Sequence, residues 1–184
     1  MPTRQRVIAF LVTSPGDLIN LVAINSVFSY PKIEGKPAYI TQLLSAQSQR
    51  EVRARNGLTI TPCIPYSEYT GPIDTLIVVG GDEIAYTVPS EDLIRWIRKR
   101  AAQARRLVSV CVGAFSLAPT GLLDGKVYTT AGVTAGIDMA LAIVNEDFGH
   151  KVVARTAPGA PALLQSGCVR ESRQGCGVPI AAKG

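Results

Sequence analysis

Continuous apolar runs alternate with stretches of helical spacing along most of this chain. Val7 to Val12 is apolar throughout, as in a strand buried on both faces, and Ser14-Pro15-Gly16-Asp17 is a turn. From Leu18 to Phe28 apolar residues recur at helical intervals (Leu18, Leu21, Val22, Ile24, Val27, Phe28), which predicts a helix. Ala38 to Leu44 predicts a second strand. Glu51 to Ile64, with Asn56-Gly57 at its middle, predicts a hairpin turn between two extended arms. Thr75 to Val79 is a β-rich apolar strand that runs into Gly80-Gly81-Asp82. Ser90-Glu91-Asp92 supplies an N-cap and an acidic first turn for a helix through Arg105, with Leu93, Ile94, Ile97 and Ala101 inward. Leu107 to Val110 is again strand-like, and the short helix after it is stopped by Pro119 and Gly121. Lys126 to Thr130 predicts a further strand, and Gly136 to Phe148 an amphipathic helix closed by Gly149. Strands alternating with helices predict an α/β fold with a mostly parallel sheet covered on both faces.

Beyond Val152-Val153-Ala154-Arg155 the pattern stops. Residues 156–184 follow neither period, and Pro158, Gly159 and Pro161 break any regular element. The reading is therefore one domain over residues 1–155 and an irregular tail that carries no helix-turn-helix pattern and no DNA-binding domain. Of the 184 residues 47% are hydrophobic, which suits a packed interior, yet no apolar run approaches the length of a membrane span. The N-terminus lacks a signal-peptide pattern, so a cytoplasmic location is expected. Cys63, Cys111, Cys168 and Cys176 include no C-x-x-C pair. That spacing leaves zinc unsupported, and neither a metal nor another cofactor is expected. The net charge of +5 raises nucleic acid as a partner, but much of it lies on Arg95, Arg98, Lys99, Arg100, Arg105 and Arg106. These residues read as a solvated helix face, so no sequence-specific DNA binding by this chain alone is expected.

One stretch carries chemistry. Leu107-Val108-Ser109-Val110-Cys111-Val112-Gly113-Ala114 reads as strand, sharp turn and helix, with a thiol at the bend. Such an elbow lifts a nucleophile to the carboxyl end of a parallel sheet, where the next helix aims its N-terminal amides at it. Both features favour a reactive thiol. The plainer reading of the same residues is a small buried hydrophobe that ends a strand.

The elbow, Gly121-Leu122-Leu123-Asp124-Gly125 and Thr130-Ala131-Gly132-Val133-Thr134-Ala135-Gly136-Ile137-Asp138 together resemble the ThiJ/PfpI superfamily. Within it they are most similar to the glutamine-amidotransferase-like sensor domains of AraC-type transcription regulators. The resemblance covers roughly residues 6 to 155 and implies a flavodoxin-like, doubly wound fold, a homodimer and a pocket around Cys111. Gly80-Gly81-Asp82 takes the place of the family's Pro-Gly-Gly turn. Gly80, Gly81, Asp82 and Val112 are thereby candidates to contact a small-molecule ligand, with Cys111 as the candidate nucleophile.

This chain departs from the family pattern at several points. Enzymes of the superfamily set an acid from the first helix against the cysteine, whereas the corresponding residue here is Asn20. An amide cannot take the thiol's proton, so Asn20 is a candidate ligand contact, and Asp17 is a candidate substitute acid. Catalytic relatives also supply a histidine, but the only histidine here is His150, expected at the surface. The isonitrile hydratase branch has a threonine after the cysteine, where this chain has Val112. In addition, Asp124 to Thr130 runs directly into Ala131-Gly132, so about one helix-strand unit, roughly 30 residues, is missing from the family pattern.

Two functional classes follow. One is a non-catalytic sensor of a small metabolite. The other is a cysteine-dependent hydrolase, hydratase or glyoxalase in which amides near Asp82 and Val112 hold an oxyanion. Redox sensing through oxidation of Cys111 is a third reading.

Overall fold

A computed structural model describes residues 5–13, 15–16, 18–54, 56–61, 63–81, 88–123 and 127–156. In chain order the elements are β1 (Arg6–Val12), α1 (Leu18–Ser29), β2 (Lys32–Ile33), β3 (Lys36–Pro37), β4 (Tyr39–Ser45), β5 (Val52–Arg53), β6 (Thr59–Ile60) and β7 (Ile64–Pro65). There follow β8 (Thr75–Val79), α2 (Glu91–Gln103), β9 (Arg106–Val110), α3 (Gly113–Leu117), β10 (Val127–Thr130), α4 (Val133–Phe148) and α5 (His150–Thr156). Six strands form one sheet in the order β10-β9-β8-β1-β4-β7, and every neighbouring pair is parallel. The chain winds outward from β1 through β4 to β7, then crosses back to β8 and winds the other way through β9 to β10. The winding reverses between β1 and β8. In open parallel sheets a crevice forms at that reversal, outside the carboxyl ends of the strands.

The sheet is covered on both faces, as the alternation predicts. Ile8, Phe10, Val12, Ile77, Val79, Val108 and Val110 point to one face and are covered by α1 and α4. Ala9, Leu11, Leu76, Val78 and Leu107 point to the other, beneath Leu93 and Ile97 of α2 and Leu117 of α3. The two helices on the first face touch closely: a Cβ on Gly136 would lie 2.7 Å from Ile24 Cδ1. Gly136 therefore lets α4 lie against α1.

Several boundaries differ from the sequence reading. Helix α4 starts at Val133, almost a turn before Gly136, because Gly132 is extended and acts as its cap. Helix α5 follows Gly149 directly and buries Val153, in a stretch to which the sequence pattern assigned no element of its own. The Asn56-Gly57 hairpin forms, but its arms are two residue pairs, and Ile64 leaves it to pair with Leu44 of β4. A second, unpredicted hairpin joins β2 to β3, with Glu34 at φ +51° and Gly35 at φ +78° in its turn. The 156–184 tail beyond Thr156 lies outside the described residues.

The arginine stretch is the largest correction. Helix α2 ends at Gln103, and Ala104 is already extended. Arg106 is therefore the first residue of β9, only 7% exposed, and not part of a solvated helix face. It donates to Glu146 (2.9 Å) and Asp147 (2.8 Å) in the last turn of α4. Arg105 bonds Asp74 (2.8 Å) and Asp147 (2.7 Å), Arg6 lies 3.6 Å from Asp147, and the Tyr39 hydroxyl donates to Asp147 (2.9 Å). Burial works against charge on Asp147, but the Arg106 and Arg105 hydrogen bonds and the Tyr39 hydroxyl outweigh it and hold its pKa below the usual value. On α2 itself, Arg98 donates to Thr120 O (2.8 Å), and Arg100 lies between the rings of Tyr69 and Trp96. Of this stretch, Arg98, Arg100, Arg105 and Arg106 thus hold partners within the protein.

Candidate functional site

Register places the site. Val12 of β1 is level with Val79 of β8, Val79 with Val110 of β9, and Val110 with Thr130 of β10. Thr13, Gly80 and Cys111 therefore follow side by side at the carboxyl edge, next to the reversal of winding. Two backbone bonds extend the ladders past the strand ends: Gly80 N–H to Val110 O (3.1 Å) and Cys111 N–H to Thr130 O (2.8 Å).

Cys111 adopts φ +55°, the left-handed region that a side chain occupies at a cost of about 1–2 kcal/mol. This backbone reverses the chain between β9 and α3 and holds the thiol at the sheet's edge, as the elbow pattern predicts. The sulfur is half-buried and packs against the cluster beneath α1 and α4. Two glycines make the tight turn possible. A Cβ on Gly113 would lie 2.3 Å from Val78 O, and one on Gly80 would lie 2.4 Å from Gly113 N and 2.5 Å from Val112 Cγ2.

The candidate residues divide once they are placed. The Gly80 amide is already bonded to Val110 O, so this position contributes close approach and no oxyanion donor. Gly81 lies against the β1–α1 turn: its Cβ would lie 2.2 Å from Pro15 O and 3.0 Å from Thr13 Oγ1. Val112 turns its side chain toward Gly80 and caps α3, its carbonyl accepting from Phe115 N–H (3.0 Å). Asn20 is 2% exposed in the first turn of α1, on the helix face turned to the same cluster as Cys111. Asp17 and Asp82 lie outside the described residues. His150 is exposed, as expected. Because α4 runs back from the carboxyl to the amino edge of the sheet, His150 lies at the edge opposite Cys111.

Two polar groups at this edge escaped the sequence reading. Thr13 and Thr130 each bury a hydroxyl that has no hydrogen-bond partner among the described residues. Their only signal in the sequence is a threonine at the end of a strand, too common a feature to single out. Cys63 lies elsewhere, fully buried before β7, and burial pushes its thiol pKa up despite an opposing backbone hydrogen bond from Val52. Among the described residues no group of three or more His, Cys, Asp or Glu could hold a metal ion, and no helix is long and apolar enough to cross a membrane.

The DJ-1/PfpI family pattern matches residues 8–166. The chain belongs to the DJ-1/PfpI family. It is 28% identical over 179 residues to the HTH-type transcriptional regulator GbdR of Pseudomonas aeruginosa, a match that covers 80% of this chain and 48% of the regulator. It is 29% identical over 127 residues to an isonitrile hydratase of Pseudomonas putida, covering 53% of this chain and 55% of that protein. The chain thus spans about half the length of these curated relatives. Among solved structures, a ThiJ/PfpI family protein from Pseudomonas syringae matches with TM-score 0.71 at 20% identity, covering 95% of this chain and 79% of the other. An AraC family transcriptional regulator from Pseudomonas putida matches with TM-score 0.69 at 16% identity, covering 86% and 99%. As a DJ-1/PfpI domain, this chain is similar to the sensor domains of AraC-type regulators.

Proposed function

We propose that this DJ-1/PfpI domain is a non-catalytic sensor that binds a small metabolite in the cleft at Cys111. The observation that carries the reading is the position of His150. The chain's one histidine is at the sheet edge opposite the thiol, so no imidazole is at hand to exchange the thiol's proton. Asn20 supports the same reading, since a buried amide in the first turn of α1 offers hydrogen bonds but not general-base help. The likeness to HTH-type regulators points in the same direction.

The sensor acts as a homodimer in the cytoplasm. Helix α1 has no charged residue, and Ile19 (66% exposed) and Val22 (53%) stand on its outer face. Such a face suits contact with a second copy.

One observation favours a cysteine-dependent hydratase or hydrolase instead: the strained Cys111 backbone, which costs stability and needs a reason. The experiment is a panel of isonitriles, small amides and α-oxoaldehydes run on wild type, Asn20→Asp and Cys111→Ala. The sensor reading expects no turnover above the Cys111→Ala background in any variant. Wild-type turnover that disappears in Cys111→Ala overturns it. Turnover that emerges only in Asn20→Asp identifies a decayed enzyme, because general acid–base help is typically worth about 10²–10⁴-fold.

A further inference from the structure

The β5–β6 hairpin has no part in the elbow, yet contacts lead from it to Cys111 in three short steps. Its base is fixed to the β1–α1 turn: Gly16 N–H donates to Arg53 O (2.9 Å), Gly16 bridges Ala54, and Val52 and Ala54 are buried. A Cβ on Gly16 would lie 3.0 Å from Val52 Cγ1. The next step joins Pro15 O to Gly81, and the last joins Gly80 to Val112 and Gly113 beside the thiol. The hairpin's base is therefore fixed at the same edge of the sheet as the elbow.

Its turn is well tied. Ala54 N–H donates to Leu58 O (2.7 Å), Gly57 N–H to Ala54 O (3.0 Å) and Leu58 N–H to Asn56 Oδ1 (3.2 Å). Leu58 is nevertheless 61% exposed, a large apolar side chain beside a hydrogen-bonded turn. A turn next to Asn56-Gly57 takes a polar residue at no cost to its geometry, so local structure does not account for leucine there.

We infer that the β5–β6 hairpin walls one side of the Cys111 cleft and that Leu58 is a specificity-determining contact for an apolar part of the ligand. The inference rests on the reading of that cleft as a ligand site. It gives the ligand a character: a small molecule with an apolar portion directed toward β1 and β4, and polar atoms directed toward the buried hydroxyls of Thr13 and Thr130.

The test uses two thiol reagents with one warhead, N-phenylmaleimide and N-methylmaleimide, on wild type, Leu58→Ser and Leu58→Met. Rates at Cys111 are read by peptide mass, with buried Cys63 as the internal reference for folding. In the wild type the phenyl-to-methyl rate ratio at Cys111 exceeds that of a free thiol in solution. Leu58→Ser lowers that ratio about threefold, the size expected for losing part of an apolar contact, and Leu58→Met keeps it. A ratio indifferent to Leu58 overturns the hairpin's role and leaves the cleft reading intact. A change of oligomeric state in Leu58→Ser with an unchanged ratio also overturns it, by assigning Leu58 to a subunit contact. A wild-type Cys111 that reacts with neither reagent overturns the cleft reading and this inference with it.

Discussion

Gly80 and Gly113 each occupy the space where the other's side chain would be. A Cβ on Gly80 would lie 2.4 Å from Gly113 N, and one on Gly113 would lie 3.1 Å from Gly80 N and 2.3 Å from Val78 O. The obstructing atoms are backbone, so they cannot swing aside as a side chain can. Gly80→Ala and Gly113→Ala are each expected to destabilise the fold by about 1–3 kcal/mol, as overpacking does, and to displace the elbow. Urea unfolding measures the first effect. Loss of the difference in iodoacetamide labelling between Cys111 and Cys63 measures the second.

The Asp147 cluster gives a pH dependence with a definite sign. The folded pKa of Asp147 is lowered from its ordinary 3.8, so its contribution is complete above that value and is lost as pH falls through the lower folded value. Stability therefore rises with pH across that acid window. Asp147→Asn leaves Arg106 with a weaker buried partner and is expected to cost about 3–5 kcal/mol near neutral pH. Chemical unfolding of wild type and Asp147→Asn from pH 2 to 7 checks this: the difference between them should shrink toward the acid end.

Tyr39 offers a milder cut into the same cluster. Burial first, then the charge and hydrogen bond of Asp147, push its hydroxyl pKa well up, so it stays a donor at every ordinary pH. Tyr39→Phe should cost about 1 kcal/mol. It should also move the acid unfolding midpoint to higher pH, because Asp147 loses one of the donors that hold it ionised. A midpoint that stays in place would show that the arginines alone set this carboxylate.

Glu34 is strained without an evident use. It stands at φ +51° before Gly35 in a two-residue turn, where asparagine fits better than glutamate. Glu34→Asn should raise stability by about 1 kcal/mol, measured as a higher urea midpoint with an unchanged slope.

The charge distribution predicts how the chain meets DNA. Arg98, Arg100, Arg105 and Arg106 hold partners within the protein, so the stretch from Arg95 to Arg106 is not one free basic face. A gel shift at physiological salt should give only weak, sequence-indifferent binding that falls steeply as salt rises. Nanomolar preference for one promoter fragment would contradict this.

Much of the fold was readable because period and punctuation are local. Val7 to Val12 and Thr75 to Val79 could be buried strands and little else, and the run into Cys111 named the elbow from its residue types alone. The Asn56-Gly57 turn announced itself in the same way. Local pattern did not reach the partners. The apolar periodicity that marks α2 could not show that the chain straightens at Ala104, because the decision lies with Asp147 and Glu146, some 40 residues later, which draw Arg106 into the sheet. Thr13 and Thr130 acquired meaning only when β1, β8, β9 and β10 were set side by side.

The amino-acid order alone thus determined the class of fold, the bend that carries the thiol and the family the chain belongs to, since each rests on spacing within a few residues. The tertiary structure decided the rest: that His150 lies at the edge opposite Cys111, that Gly80 gives close approach and not an amide, and that the hairpin from Val52 to Ile60 is tied to Gly16. Each of these is a relation between segments distant in sequence, fixed by strand order and by the direction in which α4 returns, and none is written in any single stretch of the chain.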